Sequence, residues 1–287
     1  MRDTEQLKAR MRVLAKEAGL EVEVVLREYM MERLLGRLAA SEHCDRFALK
    51  GGMLVVALVG IRARVTMDMD VSFSGELLTV TTLSRIFTDI AAMSVADGVT
   101  FSVVGVSEIR GGGEYPGFRV TLAAMCGNLR QTLHVDAAAG DAITPRPEGI
   151  ELKSLFDLPP IRIRAYNVET VLAEKIETVF SRGVANSRMR DFYDLLVLSR
   201  EVAFNATLFR QAVLNTARRR GTEEQLVDGR RIFEEVASNA TMAGYWRRYA
   251  SKNKFASELP WDAVLDAVRG LVRIACGDSA QERALEC

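Results

Sequence analysis

The sequence predicts an α+β fold, and three observations carry that reading. Between residues 47 and 137, short apolar segments alternate with a two-residue period and are separated by glycine-rich or polar turns, the pattern of strands. From Val168 onward the apolar period is helical throughout. Between these regions Pro145, Pro147, Pro159 and Pro160, four of the six prolines, fall close together and mark a loop region. The division that follows is N-terminal helices over residues 1–44, a strand-rich core over 45–160 and a helical region over 161–287.

Taken in order, residues 4–18 and 22–41 read as helices. Val22, Val25, Leu26, Tyr29, Met30 and Leu34 recur at three- and four-residue steps and form one apolar stripe. The stretch Phe47–Phe73 reads as strand, glycine turn, short helix, loop and strand. A helix near 79–96 follows, started by Thr81 or Thr82, with Leu83, Ile86, Phe87 and Ile90 on its buried face. Strands are expected near 99–108, 117–125 and 130–137. Gly111-Gly112-Gly113 reads more readily as a hairpin connection than as a phosphate loop, because strands flank it. A short strand over 161–166 precedes helices at 168–182, 189–200 and 260–276.

Composition narrows the function. The chain has 287 residues, 48% hydrophobic and 26% charged, enough to bury a core. Its 38 basic residues balance 38 acidic ones, so any nucleic-acid surface is local. Four scattered cysteines without a CxxC pair, and only His43 and His134, argue against a disulfide framework, a zinc site or a histidine triad. Met53–Ile61, the most apolar window, is too short to span a bilayer. The region after Met1 lacks the apolar run of a signal peptide. The expectation is a soluble, cytoplasmic protein with no membrane partner.

Chemistry concentrates in the first half. In a strand, Asp68 and Asp70 share one face while Met69, Val71 and Phe73 take the other. Two carboxylates so spaced suit a pair of divalent cations and phosphoryl transfer. Lys50-Gly51-Gly52 offers a bend without Cβ atoms at the start of a helix, where backbone N–H groups can face a phosphate. Asp136 shares a strand face with Thr132 and His134. It either joins the two aspartates or bonds the following turn, and Asp141 is its nearby rival.

Farther on, Lys175 sits inside an apolar stripe, costly unless it snorkels or meets an anion. Asp194 lies a full turn into a helix apolar nearly all round, with Lys175 or Arg190 as candidate partners. Asp191 shares its face. From Asn205 to Lys254, ten basic residues stand against five acidic ones, with Tyr245, Trp246, Tyr249 and Phe255 interleaved. Either a nucleic-acid surface or a solvated helical face with core aromatics explains these letters. On the first reading Arg218, Arg219, Arg220, Arg247, Arg248 and Lys252 contact RNA.

Lys50-Gly51-Gly52, Arg64-x-Thr66-x-Asp68-x-Asp70, Lys175 and Arg190-Asp191-Phe192-Tyr193-Asp194-Leu195, in that order, resemble the AbiEii/AbiGii toxin family, to which the MenT-type toxins belong. The resemblance implies a polymerase β-like nucleotidyltransferase core, a mixed sheet with helices, with added N-terminal helices and a C-terminal helical region. It implies Mg²⁺ or Mn²⁺ on Asp68, Asp70 and Asp136, and an NTP on Lys50, Gly51, Gly52, Met53, Lys175 and Asp191. Asp194 would be essential in or beside the site. It further implies transfer to RNA, often the tRNA 3′ end, and a cognate antitoxin with a winged-helix part. Met53 stands where the family usually has Ser or Thr. That departure keeps a non-catalytic binding module open as an alternative, and transfer to a protein or small molecule is another.

Overall fold

The alternating segments become seven strands of one mixed sheet in a computed structural model that describes residues 4–109 and 117–277. In chain order they are β1 (Phe47–Lys50), β2 (Met69–Phe73), β3 (Val99–Ile109), β4 (Gly117–Cys126), β5 (Leu129–Ala139), β6 (Glu148–Leu152) and β7 (Ile161–Ala165). Their spatial order is β3-β4-β5-β2-β1-β7-β6. β2 runs parallel to β5 and β1 parallel to β7, while the remaining neighbours are antiparallel. The glycine run at 111–113 lies outside the described residues.

The chain falls into two compact units. The first comprises residues 1–141 and 147–166, the second 142–146 and 167–287. This differs from a three-part division in two places. The N-terminal helices α1 (Thr4–Ala18) and α2 (Val22–Ala40) do not stand apart, because α2 packs against β5 and β7. The strand at 161–165 completes the sheet instead of opening the helical region, since Leu49 of β1 pairs with Ala165. Its Ile161, Ile163 and Ala165 point into the core, which a solvated linker would not do.

In the first unit the α2 stripe meets the apolar face of the sheet. Val25, Met30 and Leu34 are sealed from water, as are Met69, Val71, Leu133 and Val135. Each such side chain contributes roughly 1.5–3 kcal/mol on leaving water. Two further helices belong to this unit, α3 (Gly51–Val59) and α4 (Val80–Ala92). Thr79 caps α4 by accepting the Thr82 N–H at 3.1 Å, so the helix starts earlier than Thr81 or Thr82 would place it.

The second unit is helical: α5 (Val168–Arg182), α6 (Met189–Glu201), α7 (Ala206–Arg220), α8 (Glu223–Val227), α9 (Gly229–Ser238), α10 (Ala240–Lys252) and α11 (Trp261–Ala275). Asn167 caps α5 by accepting the Thr170 N–H at 3.2 Å, and its amide donates to the Thr144 carbonyl at 2.8 Å. These bonds tie residues 142–146 to this unit. The α6 side chains Phe192, Leu195 and Leu198 are fully buried, as a helix apolar nearly all round requires. No helix among the described residues is long and apolar enough to cross a membrane.

Candidate active site

Strand register assembles the site. Asp70 on β2 stands opposite Lys50 on β1 and opposite Asp136 on β5, and Asp136 stands opposite Arg119 on β4. Residues in register on adjacent strands project from the same face. Four strands therefore present one row, Lys50–Asp70–Asp136–Arg119, with cations at its ends and carboxylates in its middle. Asp68, just before β2, reaches the same row: its carboxylate lies 3.7 Å from the Arg119 guanidinium. Met69 and Val71 take the opposite, fully buried face.

The glycine turn fits this row closely. Gly51 has φ +61°, a backbone that favours glycine, and a Cβ there would overlap the Asp70 carboxylate. A Cβ on Gly52 would overlap the Thr66 hydroxyl. The Gly52 N–H, one of the α3 donors without an intrahelical acceptor, donates to the Asp70 carboxylate at 3.4 Å. Both glycines thus let the first turn of α3 sit against the acidic strand. The side chain of Met53 is buried, so it serves the core and only its backbone is offered at the turn.

Lys50 Nζ donates to Asp141 at 2.6 Å, and the Tyr166 hydroxyl donates to the same carboxylate oxygen at 2.7 Å. Asp141 is therefore a partner of Lys50, while Asp136 is the carboxylate in register with Asp70. Arg119 grips Asp136 through two bonds of 2.7 Å, from Nε and Nη2. Sequence reasoning missed Arg119. Its alternation with Thr121 places it on a strand face, but only the β4–β5 register shows which face.

Burial raises the Asp70 pKa above the usual carboxylate range. The Lys50 charge opposes that rise and the Asp136 carboxylate adds to it. A second acid, Glu28 on α2, also went unread. It accepts the Thr66 N–H at 2.7 Å, and burial pushes its pKa up to about 7 against the pull of that bond and of Arg64. Glu28 thereby holds the backbone of the Arg64–Asp68 segment that leads into the acidic strand.

In the second unit, Lys175 Nζ donates to Asp194 at 2.7 Å and to Asp191 at 2.9 Å. Asp194 is sealed from water. Burial pulls the Lys175 pKa down, but the two carboxylates together hold it above its ordinary value. Lys175 is thus the partner of Asp194. Among the basic candidates, Arg218, Arg247, Arg248 and Lys252 are exposed, while Arg220 bonds Glu177 and Glu174. Three of the interleaved aromatics, Trp246, Tyr249 and Phe255, make ring contacts within the unit. Trp246 is 2% exposed, donates to the Leu259 carbonyl at 2.9 Å and lies 5.6 Å from Trp261. Tyr193 packs on Tyr249 and Phe255.

Hard carboxylate oxygens of Asp68, Asp70 and Asp136 are the donor set that Mg²⁺ or Mn²⁺ prefers. A different trio, Glu42, His43 and Asp89, is the one group among the described residues whose acidic and imidazole atoms already converge within 4.8 Å. Its chemistry fits a cation poorly. A metal on His43 Nε2 would place the proton on Nδ1, a buried atom with no hydrogen-bond partner. The 3.3 Å contact from Nε2 to Asp89 reads as a local hydrogen bond.

A family model for the nucleotidyl transferase AbiEii toxin of type IV toxin–antitoxin systems matches residues 33–267. The chain belongs to this family. Two Helicobacter pylori crystal structures share the fold. One, described as a candidate nucleotidyltransferase, is 15% identical with a TM-score of 0.54, covering 93% of this chain and 100% of its own. The other, JHP933, has the same identity and TM-score and covers 93% and 98%. No curated protein matches the chain. The AbiEii chain is thus a nucleotidyltransferase by family, on an α+β mixed sheet.

Proposed function

We propose that this AbiEii-family chain transfers a nucleoside monophosphate from an NTP to the 3′ hydroxyl of an RNA, with a tRNA 3′ end as the preferred acceptor. The observation that carries the reading is the row Lys50–Asp70–Asp136–Arg119 set in register beside a glycine turn. Asp68 and Asp70 would hold a divalent cation, with Asp136 as a third ligand or as the proton acceptor. Such a cation would supply charge neutralisation at the phosphates and lower the pKa of the attacking hydroxyl. In the transfer the RNA 3′ oxygen bonds the α-phosphorus, the α–β phosphoanhydride bond breaks and pyrophosphate leaves. The hydroxyl proton passes to Asp136, which requires Arg119 to release it. Lys50 and the Gly51-Gly52 amides supply fixed positive charge for the triphosphate. Family resemblance extends the partners to a winged-helix antitoxin.

Incubation with Mg²⁺, each radiolabelled NTP in turn and total tRNA tests the reading. Label should enter RNA with the intact chain and vanish with EDTA. Equal incorporation by an Asp68→Ala/Asp70→Ala variant would sink it.

A further inference from the structure

Beside Asp68 the first unit carries a polar cavity of about 430 Å³, lined by Arg27 and Glu23 of α2 and by Arg130, Gln131, Thr132 and His134 of β5, with Gln131 donating to Glu23 at 3.5 Å. Its volume is that of a small-ligand site. Arg130, Thr132 and His134 occupy the same face of β5 as Asp136, at two-residue steps toward the start of the strand. The cavity is therefore a continuation of the acidic row, and Asp68 stands at their junction.

We infer that this cavity receives the terminal nucleotide of the acceptor RNA, an assignment that rests on the nucleotidyl-transfer reading above. Charge is the first argument. Among the described residues the Arg130 side chain makes no hydrogen bond or ion pair, and it is exposed. Arg27 on α2 reaches only the Met67 sulfur at 2.9 Å, a weak acceptor, and the exposed Glu23 at 3.7 Å. Two guanidinium groups without strong anionic partners suit a phosphodiester.

Hydrogen-bonding character is the second. His134 Nδ1 lies 3.4 Å from the Thr121 hydroxyl, while among the described residues its Nε2 has no partner. Thr132 and Gln131 add neutral donors and acceptors of the kind that meet ribose hydroxyls and base edges. Position is the third. Asp68 lines one end of the cavity, so a nucleotide bound with its 3′ hydroxyl toward that end meets the carboxylates the transfer reaction needs. This assigns acceptor recognition to the sheet of the first unit, not to the Arg218–Lys252 residues of the second.

Anisotropy of a 5′-fluorescein single-stranded RNA, titrated at several salt concentrations, tests the assignment. Binding of a non-hydrolysable NTP analogue with Mn²⁺ is measured in parallel. Arg130→Glu should weaken RNA binding about tenfold and reduce the salt slope by roughly one, with analogue affinity unchanged. RNA carrying a 3′-terminal 4-thiouridine should photo-crosslink to the peptide containing residues 129–136. Unaltered RNA affinity and slope in Arg130→Glu, or a crosslink mapping to residues 218–252, overturns the inference while leaving nucleotidyl transfer intact. An intact chain that binds the analogue but no RNA overturns both the inference and the RNA-acceptor reading.

Discussion

Two clusters of charge, one in each unit, handle carboxylates in opposite ways. Around Lys175 the carboxylates of Asp191 and Asp194 converge on a single ammonium, and Asp194 has no access to water. An ion so enclosed needs its charge answered in place, and Lys175 answers it. In the sheet of the first unit, Asp70 and Asp136 face each other across neighbouring strands, where like charges destabilise. Their cations stand at the ends of the row, and one of them, Lys50, is shared with Asp141. The first arrangement is closed and serves the fold. The second leaves carboxylate oxygens in need of a cation and has the character of a binding site.

Four substitutions can break or sharpen that contrast. The largest effect belongs to Asp70→Asn. NTP turnover should fall by at least about 100-fold, measured as label incorporated into RNA. Because burial raises the Asp70 pKa, its ionisation opposes folding, and stability falls as pH rises through the interval between its unfolded and folded values. The Asn variant should therefore melt no lower than the parent at pH 7. A lower melting temperature would mean that Asp70 belongs with the closed, stabilising class.

Lys175→Met should cost about 3–5 kcal/mol, because it takes the ammonium away from the buried Asp194 carboxylate. Urea unfolding followed by circular dichroism reads this directly. A variant of unchanged stability that had lost only activity would erase the distinction between the two clusters.

Glu28→Gln probes the support beneath the acidic strand. With a folded pKa of about 7 against 4.5 for the free group, Glu28 binds more protons folded than unfolded. Its contribution to stability therefore declines as pH rises from about 4.5 through 7, by up to roughly 3 kcal/mol. Melting temperatures recorded from pH 5 to 8 should fall less steeply in the variant, whose amide oxygen can still accept the Thr66 N–H. The smallest effect is expected at Arg119. Removing a partly exposed guanidinium that competes for Asp136 should raise Mn²⁺ affinity a few-fold in Arg119→Gln, measured by calorimetry. Weaker Mn²⁺ binding would show that Arg119 orders the acids for the cation instead of competing with it.

Local signals in the sequence carried most of the fold. The strand–turn–helix–strand of Phe47–Phe73 and the α2 stripe follow from period and glycine placement alone, because side-chain direction is set by backbone geometry within a few residues. So does the buried α6. The site was legible where its members are neighbours in sequence, as Asp68, Asp70 and Lys50-Gly51-Gly52 are. It was not legible at Arg119, Asp141, Tyr166 or Glu28. Their roles depend on which strands and helices lie side by side, and no local period encodes that. The basic, aromatic-rich segment near residue 246 shows the reverse case. Its letters fit stacking on bases, but packing against Trp261 places the Trp246 ring in the core.

By itself, then, the sequence determined the element types, the apolar faces and the pair of aspartates spaced for a cation. Tertiary structure decided which charges meet. The parallel register of β2 on β5 sets Asp70 beside Asp136, and β4 brings Arg119 to the same row. Helix packing closes Asp191 and Asp194 around Lys175. The physical reason is range. Strand and helix periods act over a few residues, whereas the Coulomb and desolvation energies that set a carboxylate's role depend on groups tens to a hundred residues away along the chain.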